Sequence, residues 1–342
     1  MVESKYIYGV IGTGERKEFG PIGVGGKGDI VYTIPYKDIA AVISDSPVTV
    51  YSELTKDAVM PYLFAHQVVI EKTMKESTII PFKFGTALRS MEEVKNVLKK
   101  GYTLFKDSLK TLENKVEMDI VVGWNKDVIF KDIANEEGIK RFRRDIELNP
   151  SEEDKIILGK IVEGVLNEKK KECAKEIEAD LCKCADRWAK HETLDSTMIA
   201  NVSLLIDKDK EKGLDNKLNE LNKKYEERVN FKCVGPLPSY SFNTIELKKP
   251  EFEVIDKARK ELTLGEEATK IEIRDVYRRL VQKYHPDKSP HLGGEQFKEI
   301  TGAYKMLSEY CQEVRPQGDK CSFREADVKN AVIIKVLDEG EK

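Results

Sequence analysis

Hydrophobic and polar positions in the first third of the chain follow two different periods. Three short β-branched and aromatic stretches, residues 6–11, 30–34 and 39–43, are separated by Gly, Pro and Asp, as strands are separated by turns. Apolar residues then recur at helical intervals from Thr55 to Glu76 and again from Met91 to about Glu113. The chain therefore starts with strands that are followed by two helices.

Two further extended segments complete this first pattern. Residues 78–84 are extended around Pro81, and Met118–Trp124 has the continuous apolar character of a buried strand. The order strands, helix, strand, helix, strand predicts a ferredoxin-like α+β domain over residues 1–125, with helices on one face of a mainly antiparallel sheet.

A second α+β domain is predicted over residues 126–248. After a charged, mixed stretch, Ser151 is a plausible N-cap for a long charged helix that runs to about His191. The elements that follow are a strand at Thr197–Ile206, a helix at Gly213–Val229, and a strand at Asn230–Leu247 interrupted by Gly235-Pro236-Leu237-Pro238.

Residues 249–313 have a helical pattern instead. A wide apolar stripe ends at Tyr284, and Pro286 prevents the helix from continuing. A second stripe begins after Gly293-Gly294, so two helices form an antiparallel hairpin with a loop at its tip. The tail, residues 314–342, contains the apolar stretch Val332–Leu337, which we expect to dock on a sheet because an unpaired strand invites aggregation.

Composition narrows the functional classes. The 58 Lys+Arg and 61 Asp+Glu residues give a net charge of -3, so no whole-chain field favours nucleic acid or an anionic membrane. No apolar run has the ~18 residues of a membrane span, and no secretory signal is visible, so we expect a cytoplasmic protein. Six cysteines are then expected to be reduced, and Cys182, Cys184 and His191 are not predicted to bind metal.

Two apparent sites are interpreted as structural. Gly23–Gly28 matches G-x-G-x-x-G, but a strand follows where a dinucleotide fingerprint needs a helix. His66, Glu71 and Lys83 are suitable groups for acid–base chemistry, yet His66 and Glu71 are five residues apart on one helix and His66 is at a core-facing position. The sequence predicts no catalytic residue, cofactor or metal site.

The helical hairpin resembles a J-domain, the DnaJ-like module that docks on DnaK-type chaperones. The resemblance rests on Ala268-Thr269, Glu272-Ile273-Arg274, Tyr277-Arg278-Arg279-Leu280, Lys283-Tyr284-His285-Pro286-Asp287-Lys288, Phe297-Lys298-Glu299-Ile300 and Ala303-Tyr304. It implies that His285, Pro286 and Asp287 trigger ATP hydrolysis by the chaperone. It also implies that Arg274, Arg278, Arg279 and Lys283 form a cationic face for an acidic partner. The paired tyrosines usual in the first J-domain helix are absent.

The region before the hairpin resembles the gas vesicle protein F/L family. The matching segments are Tyr6-Ile7-Tyr8-Gly9, Ile39-Ala40-Ala41-Val42-Ile43-Ser44, His66-Gln67-Val68-Val69-Ile70-Glu71, Ile80-Pro81-Phe82-Lys83-Phe84-Gly85-Thr86 and Gly235-Pro236-Leu237-Pro238-Ser239-Tyr240-Ser241-Phe242. The resemblance implies an accessory or minor component of the gas vesicle that binds the hydrophobic shell subunit and other accessory proteins.

Together the two resemblances suggest that the α+β domains hold the shell subunit while the J-like segment delivers it to a DnaK-type chaperone. Three alternatives stay open: a general J-type co-chaperone with a different client, a J-like fold used for other contacts, and an enzyme with a ligand site between the α+β domains.

Overall fold

The computed structural model describes residues 3–25, 29–47, 51–145, 151–284, 293–314 and 318–341. The chain divides into two compact units, which we call the N-terminal unit (Met1–Thr244 with Leu337–Lys342) and the C-terminal unit (Ile245–Val336). The predicted α+β class, with antiparallel sheets and a helical segment near the C-terminus, is confirmed.

The first sheet of the N-terminal unit is antiparallel and carries two long helices. Its elements are β1 (Glu3–Ile11), β2 (Glu18–Gly20), β3 (Val31–Tyr36), β4 (Ile39–Pro47), α1 (Lys56–Glu76), β5 (Ile79–Pro81), β6 (Ala87–Leu88) and α2 (Met91–Thr111). The strand order is β2-β3-β4-β1-β5, with β6 also paired to β1. Thr55 and Ser90 cap the two helices, so both predicted helix starts are confirmed.

Strand β1 lies at the centre of this part of the core. Tyr6, Ile7 and Tyr8 are each at most 1% exposed, and successive residues of a strand point to opposite faces. Both faces of the strand are therefore covered, where the sequence predicts helices on one face only. Tyr6 and Tyr8 share a cluster with Val69 and Ile70 of α1.

The second sheet of the N-terminal unit follows. Its elements are β7 (Lys115–Trp124), α3 (Lys126–Ala134), α4 (Glu137–Asp145), α5 (Glu152–Cys182), β8 (Arg187–Lys190), β9 (Met198–Asp207), α6 (Glu211–Tyr225) and β10 (Val229–Leu237). The strand order is β10-β7-β9-β8, all antiparallel. Ser151 forms a capping box with Asp154, as the predicted N-cap requires.

Two predictions in this region are wrong. The strand assigned to the first domain is β7, which lies between β9 and β10 in the second sheet, because an apolar run does not specify its partner strands. The long helix ends at Cys182 and not near His191, because residues 187–190 pair with β9. A charged helical pattern without a C-cap signal left that end undetermined.

The C-terminal unit is built on a bundle of helices. Its elements are β11 (Thr244–Lys248), α7 (Phe252–Glu261), β12 (Glu267–Thr269), α8 (Lys270–Tyr284), α9 (Gly293–Glu313), β13 (Lys320–Ser322), α10 (Glu325–Asn330) and β14 (Ile333–Leu337). Strand β12 pairs with β13, and β14 pairs with β11. The expectation that the apolar tail docks on a strand is therefore confirmed.

One cysteine pair corrects the expectation that all six thiols are reduced. Cys311, near the end of α9, is bonded to Cys321 of β13, and their Cα atoms are 5.7 Å apart. The sequence does not reveal this pair because only the packing of β13 beside α9 brings the two residues together. Cys182 and Cys184 are free, and Cys184 lies beyond the end of α5.

Candidate functional sites

Helix α8 carries four of the seven predicted chaperone-binding residues. Thr269 and Glu272 form the reciprocal hydrogen bonds of a capping box at its start, with the Glu272 N–H donating to the Thr269 hydroxyl at 3.1 Å and the Thr269 N–H donating to the Glu272 carboxylate at 2.7 Å. The helix contains five basic and two acidic residues. Its surface therefore has the positive charge that an acidic partner would recognise.

All four predicted basic residues of α8 are exposed: Arg274, Arg278, Arg279 and Lys283. At 3.6 residues per turn, the first two lie about 140° around the helix from the last two, so they form two flanks of the exposed half. Arg274 is 3.9 Å from Asp275 in an exposed ion pair that contributes little. The other three predicted residues, His285, Pro286 and Asp287, follow Tyr284 in the chain and lie outside the described residues.

The buried side of α8 fixes the direction of this basic surface. Ile273 is 1% exposed and joins the core of the C-terminal unit. The rings of Tyr277 and Tyr304 stack at 4.0 Å between centroids, which joins α8 to α9. The predicted pair of packed amphipathic helices is therefore present, with charge on the side away from the core.

His66 of α1 lies in an aromatic cluster with Tyr6, Tyr8 and Phe84 and is 4% exposed. Its Nδ1 is 3.0 Å from the Tyr6 hydroxyl, which also accepts a hydrogen bond from the Gly85 N–H at 2.9 Å. Gly85 has φ +84, a conformation that favours glycine, as its predicted backbone freedom requires. Burial lowers the pKa of His66 to about 4, against a hydrogen bond to the Phe82 backbone that favours the charged form.

This geometry supports the structural interpretation of His66. The neutral imidazole accepts a hydrogen bond from the Tyr6 hydroxyl at Nδ1, so the ring holds the strand and the helix together. Glu71 instead accepts a hydrogen bond from Gln67 at 2.7 Å, and Gln67 accepts one from the Tyr240 hydroxyl at 2.5 Å. His66 and Glu71 therefore have different partners.

A second buried polar cluster, which sequence reasoning missed, lies on the second sheet. Glu117 of β7 is 2% exposed and accepts hydrogen bonds from the Ser241 N–H at 2.9 Å and the Ser241 hydroxyl at 2.7 Å. Burial raises the pKa of Glu117, and the neighbouring Asp119 adds to the increase, giving about 8. This carboxyl group keeps its proton at neutral pH.

The same cluster contains a serine, a histidine and a carboxylate in a chain of hydrogen bonds. His191 Nε2 is 2.8 Å from the Ser203 hydroxyl, and His191 Nδ1 is 3.2 Å from the Glu339 carboxylate. This is the order of a nucleophilic triad. However, Ser203 is 1% exposed and donates its proton to Asp119 at 2.5 Å, so its hydroxyl neither faces a substrate nor has a base to itself.

This cluster therefore has a structural role, which is to hold the C-terminal segment in place. Glu339 contacts His191, and the Glu339 N–H donates to the Ser241 carbonyl at 2.9 Å. Arg187 binds Asp338, and Trp188 forms a backbone bridge to Glu341. The available sequence signal was an acidic pair two apart in a strand, which places Glu117 and Asp119 on one face.

Neither a metal-binding group nor a membrane-spanning helix is found among the described residues. Among them, no group of three or more His, Cys, Asp or Glu side chains is arranged to hold a metal ion. Within the same ranges, no helix has both the length and the apolar character to cross a membrane. The glycine-rich loop leads into β3, so the strand expected after it is confirmed, although residues 26–28 lie outside the described ranges.

Comparison with known proteins separates the chain into two regions. The DnaJ domain matches residues 260–314. A stretch of 70 residues is 46% identical to the chaperone protein DnaJ of Gloeothece citriformis and covers 20% of this chain and 18% of that protein. Another of 69 residues is 49% identical to chaperone protein DnaJ 1 of Synechocystis and covers 19% of this chain and 17% of that protein.

The larger region has relatives of nearly its own length. Gas vesicle protein F1 of Halobacterium salinarum is 28% identical over 251 residues, which cover 72% of this chain and 96% of that protein. The crystal structure of GvpF from Anabaena sp. PCC7120 shares the fold, with a TM-score of 0.58 at 19% identity over 70% of this chain and 97% of that one. The gas vesicle synthesis protein GvpL/GvpF family matches residues 4–244, and the chain belongs to that family.

Proposed function

We propose that this protein is a non-enzymatic accessory factor of gas vesicle assembly, which binds the hydrophobic shell subunit and recruits a DnaK-type chaperone. The observation that carries the proposal is the presence of a GvpL/GvpF region and a DnaJ domain in one chain. A shell subunit exposed to water would aggregate through its apolar surface. A factor that holds this subunit beside a chaperone would shorten that exposure.

The basic surface of α8 supports the chaperone half of the proposal. Arg278 and Arg279 are exposed on the helix whose last residue, Tyr284, directly precedes the His285 tripeptide in the chain. Positive charge of this kind increases the association rate with an acidic partner, and added salt reduces this effect. The tripeptide would then act as the trigger, as the DnaJ resemblance implies.

An exposed apolar stripe on α1 supports the client half. Met60, Leu63 and Phe64 are 58%, 36% and 71% exposed, and their i, i+3, i+4 spacing places them on one side of the helix. Large apolar side chains grouped on a surface mark interaction sites more often than single ones do. We propose this stripe, hereafter the α1 stripe, as a contact for the shell subunit, in the cytoplasm and at the forming vesicle.

The chaperone half is tested by ATP hydrolysis of the cognate DnaK-type protein in the presence of the full chain. We expect stimulation by the wild type, a further increase when shell subunit is added, and loss of both effects in His285→Gln. Lys305→Gln removes an exposed charge elsewhere on α9 and should keep wild-type stimulation. If His285→Gln stimulates hydrolysis as well as the wild type does, the tripeptide is not a trigger and the recruitment proposal fails.

The client half is tested by binding of shell subunit to the full chain. We expect the triple variant Met60→Ser, Leu63→Ser, Phe64→Ser to bind at least tenfold more weakly. Leu194→Ser is the matched control, because Leu194 is 82% exposed at a different place. Equal binding by the triple variant and the control would show that the α1 stripe is not the contact. If an unrelated client increases ATP hydrolysis by the DnaK-type protein to the same extent as the shell subunit does, a general J-type co-chaperone is favoured.

A further inference from the structure

Helices α7 and α9 leave an open groove between them on the surface of the C-terminal unit. The groove has a volume of about 510 Å³, within the range of roughly 300–1,000 Å³ found for ligand pockets. Its floor is apolar and contains Ala258, Gly302 and Ala303, and its walls include Val254 and Met306, each 39% exposed. Small residues where the helices face each other keep the space between the two walls empty.

The rim of the groove is acidic. Glu253, Glu261 and Glu299 line it together with a single basic residue, Lys257. All four side chains are exposed. In the described part of the chain, Glu261 and Glu299 have no ion-pair partner within 4 Å, so their charges are available to a ligand. An apolar floor with a negative rim is complementary to an apolar surface flanked by positive charge.

We propose that this groove binds an amphipathic helix of a partner protein, with the apolar face of that helix on the floor and Lys or Arg side chains beside the rim glutamates. Helix-in-groove binding uses apolar anchors at i, i+3, i+4 and i+7. The lining residues of α9 extend from Glu299 to Met306, which at 1.5 Å per residue is about 10 Å. The groove therefore receives about two turns of a partner helix.

Gly302 shows that the space is available. A Cβ atom built at this exposed helical position would meet no atom within 4 Å. Nothing in the helix geometry requires glycine there, since glycine is unfavourable inside a helix. Its absence of a side chain lets a partner approach α9 closely. A Cβ atom added at this position would therefore extend into open space.

This site is distinct from the basic surface of α8. Helix α8 is rich in exposed arginine and suits an acidic partner, whereas the groove is apolar with an acidic rim and suits a basic partner. The proposal therefore goes beyond chaperone recruitment and shell binding, and its test is independent of the tests of both. The C-terminal unit therefore offers α8 to an acidic partner and the groove between α7 and α9 to a basic partner.

The test uses the full chain and a fluorescent helical peptide of about 18 residues, long enough to form a helix. The probe has leucines at i, i+3, i+4 and i+7, alanines elsewhere and lysines on both flanks; a second peptide has glutamates in place of the lysines. We expect saturable binding of the lysine peptide and at least tenfold weaker binding of the glutamate peptide. Equal binding of the two peptides would overturn the proposal.

Two sets of variants locate the binding. Gly302→Leu fills the groove and should weaken the lysine peptide at least tenfold, while Gly302→Ala should stay within about twofold of the wild type. The exposed pair Glu261→Lys with Glu299→Lys should reverse the preference between the two peptides without changing the fold. Thermal melting followed by circular dichroism checks that each variant is folded. Undiminished binding by folded Gly302→Leu would contradict the assignment.

The remaining occupant to distinguish is a second copy of this chain. Sedimentation of the full chain with and without Gly302→Leu decides this point. We expect the same sedimentation for both. If the wild type self-associates and Gly302→Leu does not, the groove is an interface between copies, and the proposal of a basic partner helix is wrong.

Discussion

The two sheets of the N-terminal unit each bury an ionisable side chain, and the two groups respond to pH in opposite directions. His66 of α1 packs against the first sheet and has a lowered pKa, while Glu117 belongs to the second sheet and has a raised one. Burial is the largest cause of both shifts. A buried site favours the neutral form, so an acid and a base placed in similar surroundings shift oppositely.

This difference assigns a separate pH limit to each sheet. The folded protein holds His66 neutral, so it loses stability as the pH falls from about 6.5 towards 4. It holds Glu117 protonated, so it loses stability as the pH rises from about 4.5 towards 8.

The largest expected effect comes from Glu117→Gln. Glutamine keeps an acceptor for the Ser241 N–H and cannot ionise, so the alkaline loss of stability should disappear. At pH 9 we expect a gain of about 2–4 kcal/mol in the free energy of unfolding relative to the wild type, and a small change at pH 5. Urea unfolding of both proteins at the two pH values measures this. A variant that loses stability with rising pH as steeply as the wild type would assign the alkaline limb to another group.

His66→Gln should remove the loss of stability that occurs as the pH falls. Below pH 6.5 the wild type must protonate a buried imidazole or unfold, whereas glutamine keeps an acceptor for the Tyr6 hydroxyl. Between pH 7 and 4.5 we expect the wild type to lose about 1–2 kcal/mol more than the variant loses. The same urea titration, with Trp fluorescence as the signal, gives both curves. Parallel curves for the two proteins over this interval would disprove the role of His66.

Tyr6→Phe tests the hydrogen bonds around His66 without changing the imidazole itself. The Gly85 N–H and His66 Nδ1 would each lose a partner in a buried site. We expect a loss of about 1–2 kcal/mol at pH 7, because unsatisfied buried polar groups are costly. Tyr36→Phe is a suitable control, since Tyr36 is at the edge of the buried core. A loss no larger than that of the control would show that these bonds contribute little.

Glu339→Gln should have the smallest effect. Its carboxylate is 3.2 Å from His191 but is 63% exposed, and exposed ion pairs contribute less than about 1 kcal/mol. We expect unchanged global stability and faster amide hydrogen exchange at residues 338–341, which are held on the second sheet. Global destabilisation beyond about 1 kcal/mol would mean that this segment is part of the cooperative core.

Local sequence signals predicted those elements that depend on neighbouring residues. Apolar periodicity predicted α1 and α2, the N-cap Ser151 predicted the start of α5, and the apolar stripes before Pro286 and after Gly294 predicted α8 and α9. These features depend on contacts within a few residues, so the chain displays them without a tertiary structure. The cationic residues of α8 came instead from the resemblance to the DnaJ family.

Long-range partners were not accessible in this way. The strand β7 had the expected pattern, but its place between β9 and β10 depends on segments about eighty and more than a hundred residues later in the chain. Likewise, Glu117 contacts Ser241, and Cys311 is joined to Cys321 only because β13 folds back onto α9. No single segment contains the information for such pairs.

By itself, the sequence determined that the chain contains α+β domains and a helical hairpin, which helices begin where, and which side of α8 is charged. Only the tertiary structure decided which sheet contains β7, which polar groups become buried and have shifted pKa values, and where two helices leave an apolar groove with an acidic rim. The physical reason is range: capping and periodicity act over one or two turns of chain. Burial, strand pairing and groove shape depend on residues brought together from distant parts of the sequence.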